Sequence, residues 1–474
     1  MISKKWFGAF LLLATTVFAL GCGGGSNQMQ PQPQAQQGTI YVSGTDAPLA
    51  SVLSFQVDVT GLTVSDGVNP PISILDGTQT VDFAKLNGLR TLLAFNSVPA
   101  GTYTTVQVTL ANPAISYLNV VSPPTTPPTR PTISTLDSTT TPPASLSQSS
   151  VTILLPKPLV VDSGDMTGLS FEFDLRQSIQ VDAGGQVTGL VVPNLDVHGI
   201  TPGSAEGFLD EFVAGIVSVD VTAGSFVVQG PHGRQITVQT NSDTEFCDDS
   251  TLADLNTNTI VQISGSFDRL TKTLVADEVA ILTQDKFLLG GLVTFVDPQT
   301  GPATDFDLFV RTELPALSGI NPGQITTLDL DGNERFFIYR MHTPLSAFVF
   351  NSSLMVAGQR VTAGGAINGS GSTQTLDVRR VVLHHQGKNG AWVIGSTNTA
   401  NGTFQLNSNG LAGVLFNGPI TVFTSQFTRW RGGLSGLSDL TGTSPIPLRI
   451  VGLVLKNPVN GNPVFVARIV EKLR

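Results

Sequence analysis

The chain has 474 residues, of which 41% are hydrophobic and 13% charged, and its formal net charge is −10. A chain of this length exceeds the size of a single hydrophobic core, so we expect several domains. The acidic balance disfavours a nucleic-acid-binding surface, because phosphates repel acidic side chains. The 49 glycines and 29 prolines favour turns over helices and predict an all-β protein.

Residues 1–21 have the pattern of an export signal. Lys4 and Lys5 precede an apolar run from Trp6 to Leu20, after which the sequence becomes polar. The run has about 15 residues, whereas a membrane-spanning helix needs about 20. This pattern predicts a signal peptide rather than a transmembrane helix.

Cys22, directly after Gly21, resembles the lipobox cysteine of bacterial lipoproteins, although Ala19 and Leu20 stand where Leu and then a small residue are commoner. The resemblance implies cleavage before Cys22 and acylation of its thiol, and Gly23 at the next position implies the outer membrane. Several acyl chains on one cysteine would give stable membrane attachment. The alternative is a simple secretory signal in which Cys22 is incidental.

Residues 22–37 are rich in Gly, Gln and Pro and lack apolar periodicity. Such a segment cannot bury a core, so we expect a flexible tether. The other cysteine is Cys247, which we expect to be a small buried residue rather than a nucleophile.

Residues 38–201 show strand periodicity. Apolar and polar residues alternate over 39–43, 53–60 and 169–175, which is the spacing of half-buried strands. The Pro-, Thr- and Ser-rich tract 121–150 interrupts them and predicts a long exposed loop.

This region resembles domain-of-unknown-function family 4382. The resemblance rests on Thr45-Asp46-Ala47-Pro48, Val81 to Leu86, Pro99 to Tyr103 and Phe173-Asp174. It implies an Ig-like or prealbumin-like β-sandwich and brings no known activity.

The rest of the chain repeats itself three times, over 211–283, 288–384 and 389–474. Gly224-Ser225-Phe226 in the first copy matches Gly402-Thr403-Phe404 in the third, and Ile263-Ser264-Gly265 matches Ile450-Val451-Gly452. The middle copy is looser and retains Val356-Ala357-Gly358. The pattern resembles domain-of-unknown-function family 5666, which implies three small β-barrel-like domains whose closure avoids exposed strand edges.

Two residues are candidates for ligand binding. Asp46 could bind a ligand or calcium, but an Asp before Ala47-Pro48 favours a turn in which its carboxylate accepts backbone N–H groups. Trp430, between Arg429 and Arg431, could stack on a sugar ring. Because it aligns with Phe246, a core position is an equally good interpretation.

The chain lacks a Gly-x-Ser-x-Gly motif, so no serine nucleophile is indicated. His384 and His385 are adjacent at the end of a strand, where their side chains point to opposite faces, which favours a solvent-exposed strand end over a metal site. Asp329 to Glu334 has calcium-loop composition but the wrong spacing, so we expect a hairpin turn at Asp331-Gly332. We predict no catalytic residue, metal or cofactor.

The sequence as a whole predicts a membrane-anchored cell-envelope lipoprotein that acts as a non-catalytic binding or structural module. The lipid on Cys22 would contact the membrane, and an envelope protein or glycan would be the partner. One alternative is a polysaccharide- or glycan-binding surface protein, which predicts exposed aromatic side chains. The other is a glycan hydrolase with two carboxylates facing each other across a cleft.

Overall fold

Strands account for most of the residues that the computed structural model describes, and these residues belong to one compact unit, Gln36–Arg474. The predicted signal peptide and Cys22 lie outside the described residues. No helix in the described ranges is long and apolar enough to cross a membrane. These ranges are 36–47, 52–86, 89–119, 130–183, 186–202, 204–230, 233–247, 250–283, 285–315, 317, 319–339, 350–369, 375–408, 419–457 and 459–473.

The first thirteen strands form a β-sandwich. One sheet has the order β13-β10-β1-β5, and the other has the order β3-β2-β6-β7 with β4 on β2 and β9 on β6, while β11, β12 and β8 form a small third sheet. A short helix, α1 (Leu175–Ser178), follows β10. The strands are β1 Gln37–Ala47, β2 Val52–Ser65, β3 Ile72–Ser73, β4 Gln79–Asp82, β5 Thr91–Pro99, β6 Gly101–Asn119, β7 Thr132–Leu136, β8 Ser145–Leu146, β9 Ser150–Val161, β10 Met166–Asp174, β11 Ile179–Val181, β12 Val187–Val191 and β13 Leu195–Gly199.

Aromatic side chains join the two main sheets. Phe55 on β2 and Phe173 on β10 are fully buried, and their ring centroids lie 5.0 Å apart. Phe83, in the 3-10 turn Phe83–Leu86, also packs against Phe173 at 5.0 Å. Alternation along each strand turns these rings toward one core, where each contributes about 2–3 kcal/mol of hydrophobic free energy. The predicted sandwich is confirmed.

The Pro/Thr-rich tract is not one long loop as predicted. Within it, β7 pairs with β6 and β8 pairs with β12. Leu136 and Ala144 belong to the sandwich core. Prolines stand before these strands, at 131 and at 142–143, and leave short proline-free segments that can pair with a sheet edge. The composition of the tract therefore did not reveal its strands.

The remaining strands form three repeats of six strands with the same order. Each repeat has a 3-10 turn before its fifth strand, namely Leu252–Asp254, Ser352–Leu354 and Leu437–Asp439. Repeat 1 comprises β14 Phe208–Asp220, β15 Ser225–Gln229, β16 Gln235–Gln239, β17 Glu245–Phe246, β18 Ile260–Asp268 and β19 Thr273–Ile281; repeat 2 comprises β20 Phe287–Asp297, β21 Asp305–Leu314, β22 Ile325–Asp329, β23 Arg335–Ile338, β24 Arg360–Asn368 and β25 Thr375–Leu383; repeat 3 comprises β26 Gln386–Trp392, β27 Thr403–Ser408, β28 Ile420–Phe423, β29 Arg429–Arg431, β30 Pro447–Lys456 and β31 Pro463–Lys472.

Repeats 1 and 3 close into five-stranded barrels. In repeat 1 the sheet order β16-β15-β14-β18-β19 is closed by a parallel pairing of β16 with β19. In repeat 3, β28 and β31 close the barrel in the same way. The short fourth strand of each repeat extends the last strand in parallel. This is the small, self-closing barrel that the sequence predicted, and such closure removes exposed edges.

The repeats share one bulged glycine. The register shifts at Gly265 in β18, at Gly365 in β24 and at Gly452 in β30, each opposite the last strand of its repeat. The sequence match between repeats 1 and 3 is therefore confirmed. In repeat 2 the prediction was wrong, because Gly358 lies before β24 and Gly365 takes the equivalent place.

Domain contacts are extensive. Tyr41, Leu92 and Met166 of the sandwich belong to the hydrophobic cluster of repeat 1, and Leu53 of the sandwich packs in one cluster with Phe309 of repeat 2. Residues of β30 and β31 in turn join the core of repeat 2. The four parts thus share buried apolar surface, which indicates a fixed arrangement rather than separate modules.

Candidate functional site

A cleft of about 270 Å³ lies between repeats 1 and 2. We call it the repeat 1–2 cleft. Repeat 1 contributes β17 and the end of β19, and repeat 2 contributes β23 and β25. Its volume is close to the lower end of the range for small-molecule sites in proteins. The lining includes Glu245, Phe246, Cys247, Arg335, Phe337, Tyr339, Thr362, Arg380 and His384.

The short parallel strand of repeat 2 shapes one wall. Phe336 and Phe337 follow each other in β23, so their side chains point to opposite faces. Phe336 packs against the core of repeat 2 and meets Phe350 in an edge-on contact at 5.4 Å. Phe337 therefore faces away from that core, lines the cleft and packs beside Ala280 and Val382.

His384 lies at the inner end of the cleft. Its ring stacks on Tyr339 with the centroids 4.7 Å apart, and its Nε2 lies 2.7 Å from the Thr362 hydroxyl oxygen. Nδ1 is buried and has no hydrogen-bond partner among the described residues. Burial and the charge of Arg360 hold the pKa of His384 well below its usual range. A neutral imidazole with one open nitrogen is available for a ligand hydrogen bond.

The expectation that His384 marks a solvent-exposed strand end was wrong, since only 6% of the residue is exposed. Tyr339 and Thr362 of the same repeat contact its ring, which a single-strand pattern does not reveal. No group of three or more acidic, cysteine or histidine side chains suited to a metal ion occurs within the described ranges.

Cys247 is half-buried rather than enclosed in the core. Its thiol donates to a carboxylate oxygen of Glu278 at 3.1 Å, and Glu278 is fully buried on β19. The expectation of a simple buried filler was therefore wrong. The cysteine lines the repeat 1–2 cleft, where a thiol reagent can report on occupancy.

Two guanidinium groups border the cleft. Arg335 lies over the Phe337 ring, 4.8 Å from its centroid, and Arg380 pairs with Asp285 at 2.5 Å. Aromatic faces beside guanidinium groups suit a ligand with a flat or apolar body and a polar or anionic substituent.

Asp46 is part of a strand and not of a turn. It is in β1 opposite Phe173 and is 2% exposed. No hydrogen bond of ordinary geometry reaches either carboxyl oxygen from the described residues, although the Leu175 N–H faces the group. Burial, together with Glu172 and other nearby carboxylates, raises the pKa of Asp46 well above its usual value. The predicted turn is therefore wrong, and burial that disfavours the charged form of the carboxyl group also disfavours a calcium site.

Trp430 is half-buried and packs against the core of repeat 3. It pairs with Val470 in parallel, as Phe246 pairs with Val279 and Phe336 with Val381. Since the register from the bulged glycine is the same in each repeat, these three aromatic residues are equivalent. The core interpretation accounts for Trp430 better than a sugar-stacking platform.

The turn at Asp331-Gly332 does form, with Gly332 at a φ of 89° and the Asp331 carboxylate accepting from the Asn333 N–H at 2.8 Å. It does not join a hairpin, however, because β22 pairs with β21 while β23 pairs with β25. The chain instead crosses from β22 to the opposite edge of the sheet. At that edge, Phe337 of β23 and the following Tyr339 line the cleft.

Sequence reasoning missed Phe337, Tyr339 and Arg380. The short apolar run Phe336 to Tyr339 is consistent with a strand that is covered on both faces. The identity of its partner, repeat 1, depends on contacts between residues far apart in the chain.

Comparisons with known proteins support the domain assignment. The family model Domain of unknown function (DUF4382) matches residues 37–189, and the model Domain of unknown function (DUF5666) matches residues 214–280, within repeat 1. Both predicted resemblances are therefore confirmed at these positions. No curated protein matches the chain.

Proposed function

We propose that this chain is a lipid-anchored protein of the bacterial cell envelope that acts as a non-catalytic binding module. The observation that carries the binding role is the repeat 1–2 cleft, which strands of two repeats line with aromatic, guanidinium and imidazole groups. Side chains held on strands provide a pre-formed site, so ordering costs on binding are small.

The N-terminal sequence supports the anchor. Lys4-Lys5, the apolar run and Gly21-Cys22 fit a lipoprotein signal, and the Gly-, Gln- and Pro-rich residues that follow lead to β1 at Gln37. Fully extended, this segment would span at most about 50 Å. A body on such a tether could reach ligands near the outer membrane while the lipid on Cys22 holds it there.

The lining indicates the ligand class. The cleft would take a small molecule, or the end of a glycan, that places a ring against Phe337 and Tyr339 and a polar or anionic group near Arg335 or Arg380. The Nδ1 atom of His384 would exchange a hydrogen bond with the buried end of this ligand.

Alkylation of Cys247 tests the binding role. In full-length protein carrying Cys22→Ala, Cys247 is the only thiol, so the rate of its reaction with iodoacetamide, followed by intact mass, reports on the cleft. We expect the small-molecule fraction of a bacterial envelope extract to slow this reaction several-fold.

The matched variants are Phe337→Ala, which removes a wall of the cleft, and Phe427→Ala, which removes an exposed aromatic side chain elsewhere (49% exposed). Protection should disappear in the first and persist in the second. Equal protection in both variants would contradict ligand binding in the repeat 1–2 cleft.

A further inference from the structure

The repeat 2 wall of the repeat 1–2 cleft changes in character along its length. Arg335 pairs with Arg380 across the parallel strands β23 and β25. Phe337 and Tyr339 follow at alternate positions, so their side chains lie on the same side of the chain as Arg335. Arg335 is exposed, Phe337 is half-buried and Tyr339 is buried. Over about 13 Å of strand, the cleft therefore leads from a mouth with two guanidinium groups to an inner end with the rings of Tyr339 and His384.

Thr362 determines which ring nitrogen of His384 carries the proton. The Thr362 hydroxyl oxygen lies 2.7 Å from Nε2, and this is its one hydrogen bond within the described ranges. With the proton on Nε2, the ring would donate to this oxygen, and both the hydroxyl proton and Nδ1 would lack a partner there. With the proton on Nδ1, the hydroxyl donates to Nε2 and only the Nδ1–H group is unpaired. Unpaired polar groups in a buried site cost free energy, so the second arrangement is favoured.

Nδ1 is a donor whether or not the ring is charged. Burial and the charges of Arg360, His385, Arg380 and Lys85 hold the pKa of His384 well below its usual range, so the ring is neutral at physiological pH. Protonation would add a second proton at Nε2 and leave the Nδ1–H group in place. The inner end of the cleft therefore presents one buried N–H group that lacks an acceptor among the described residues.

The middle of the cleft suits a flat apolar body. Repeat 1 contributes three aliphatic side chains here, Ala280, Ile281 and Leu282, none of which can form a hydrogen bond. Phe337 of repeat 2 packs in one cluster with Ala280. Such walls bind an apolar ring by burying its surface, while polar groups at the ends of the cleft fix its orientation.

We propose that Thr362 sets the ligand specificity of the repeat 1–2 cleft by holding His384 in its Nδ1–H form. The ligand is a flat aromatic molecule whose buried end carries a neutral hydrogen-bond acceptor, such as a ketone oxygen. An acceptor can pair with the Nδ1–H group, whereas an ammonium group would place two donors against each other. A carboxylate would bury a full charge against a single N–H donor, which is costly. This assignment rests on the proposed binding role of the cleft.

Heteronuclear NMR of the histidine rings tests the tautomer without any ligand. In full-length Cys22→Ala protein with labelled histidine, long-range proton–nitrogen correlations distinguish protonated from unprotonated ring nitrogens, and His384→Gln identifies the His384 signals. We expect Nδ1 to carry the proton in this protein and in Thr362→Ser, which keeps the hydroxyl group. Thr362→Val should shift the proton toward Nε2. A proton on Nε2 in the parent, or no shift in Thr362→Val, would overturn the proposal.

Three naphthalene derivatives of similar shape test the ligand class. Methyl naphthyl ketone carries a neutral acceptor, naphthoate a carboxylate and naphthylethylamine an ammonium group, all at the same ring position. Each is added to full-length Cys22→Ala protein, and the rate of Cys247 alkylation by iodoacetamide reports on occupancy of the cleft. We expect the ketone to give half-maximal protection at a concentration about tenfold lower than either charged compound, as for one lost hydrogen bond. Tighter binding of naphthoate or of the amine would overturn the assignment to a neutral acceptor.

Threonine variants separate the role of Thr362 from the binding role of the cleft. Thr362→Val should remove most of the preference for the ketone, and Thr362→Ser should retain it. Thr421→Val is the matched control, since Thr421 is a half-buried strand residue outside the cleft, and it should behave like the parent. An unchanged preference in Thr362→Val would overturn the role of Thr362 and leave the cleft a binding site.

The envelope extract distinguishes failure of the ligand class from failure of the binding role. Protection of Cys247 by the extract but not by the ketone would overturn the ligand class alone. Protection by neither would contradict binding in the cleft as well.

Discussion

A Cβ atom built on Gly265 in repeat 1 would lie 2.1 Å from the carbonyl oxygen of Val275 on the neighbouring strand. Equivalent contacts of 2.0 Å occur at Gly365 with Asp377 and at Gly452 with Val466. Each glycine allows two backbones to approach at the bulge that bends the strand around its repeat. The three positions are therefore constrained by backbone contact rather than by side-chain packing.

Replacing any of these glycines by alanine should be costly. We expect Gly265→Ala, Gly365→Ala and Gly452→Ala each to lower the free energy of unfolding by about 2–4 kcal/mol, because a carbonyl group must move. Gly215→Ala, on β14 with no atom within 4 Å of the added carbon, should change it by less than about 0.5 kcal/mol. Urea unfolding measures both, and similar losses at Gly215 and Gly265 would contradict the role of the bulge.

Trp430 should behave as a core residue. Trp430→Phe should cost less than about 1.5 kcal/mol, since the equivalent positions hold Phe246 and Phe336. Trp430→Ala should cost about 2–3 kcal/mol, less than for a fully buried aromatic residue. Denaturant unfolding gives these values, and retention on immobilised envelope glycans should be the same for Trp430→Phe and the parent. Loss of glycan retention in a stably folded Trp430→Phe variant would restore the stacking interpretation.

Asp46→Asn should stabilise the protein at neutral pH. The pKa of Asp46 is raised in the folded state, so folding binds a proton and wild-type stability falls as pH rises above the ordinary carboxyl pKa. An amide of the same shape removes this cost, which we estimate at about 1–3 kcal/mol.

Denaturant unfolding at neutral and mildly acidic pH tests this expectation. The advantage of Asp46→Asn should shrink on acidification, while Asp243→Asn on the surface should show no such trend. A less stable Asp46→Asn protein at neutral pH would mean that the carboxylate is charged and partnered.

The contribution of His198 to the free energy of unfolding should depend on pH in the opposite sense to that of a buried neutral histidine. It lies 3.5 Å from Asp196 and 3.3 Å from Glu206, and these partners raise its pKa to about 9. Its contribution is fully present below the unfolded value of about 6.5 and is lost as pH rises through about 9. Because the group is partly exposed, we expect only about 1 kcal/mol.

The difference in stability between the parent and His198→Gln isolates this contribution from other titrating groups. It should favour the parent at pH 6 and vanish near pH 10. A difference that stays constant across this range would show that the ion pairs contribute nothing.

Local patterns in the sequence predicted much of the fold. Period-2 alternation identified β2 and β10, and the matched Gly265 and Gly452 segments identified equivalent positions in repeats 1 and 3. The structure shows that these positions are bulges. Repeat 2 was harder to align with the other two repeats because an insertion separates β21 from β22. The residues beside its bulged Gly365 also do not resemble those beside Gly265 and Gly452.

Local sequence patterns did not predict the candidate site. His384 and half-buried Cys247 are far apart in the chain and line the same cleft only because repeat 1 packs against repeat 2. Asp46 was mistaken for a turn residue because Asp before Ala47-Pro48 is locally favourable for a turn, while pairing of β1 with β10 is a long-range effect. In each case tertiary contacts outweighed local preference.

Intact-mass analysis combined with membrane fractionation, comparing the parent with Cys22→Ala in a bacterial host, tests the central claim most directly. We predict that the parent loses residues 1–21, gains the mass of two or three acyl chains and sediments with outer membranes, while Cys22→Ala carries no acyl mass and is released. A parent protein with an unmodified Cys22 that fractionates like the variant would contradict the account of a lipid-anchored binding module.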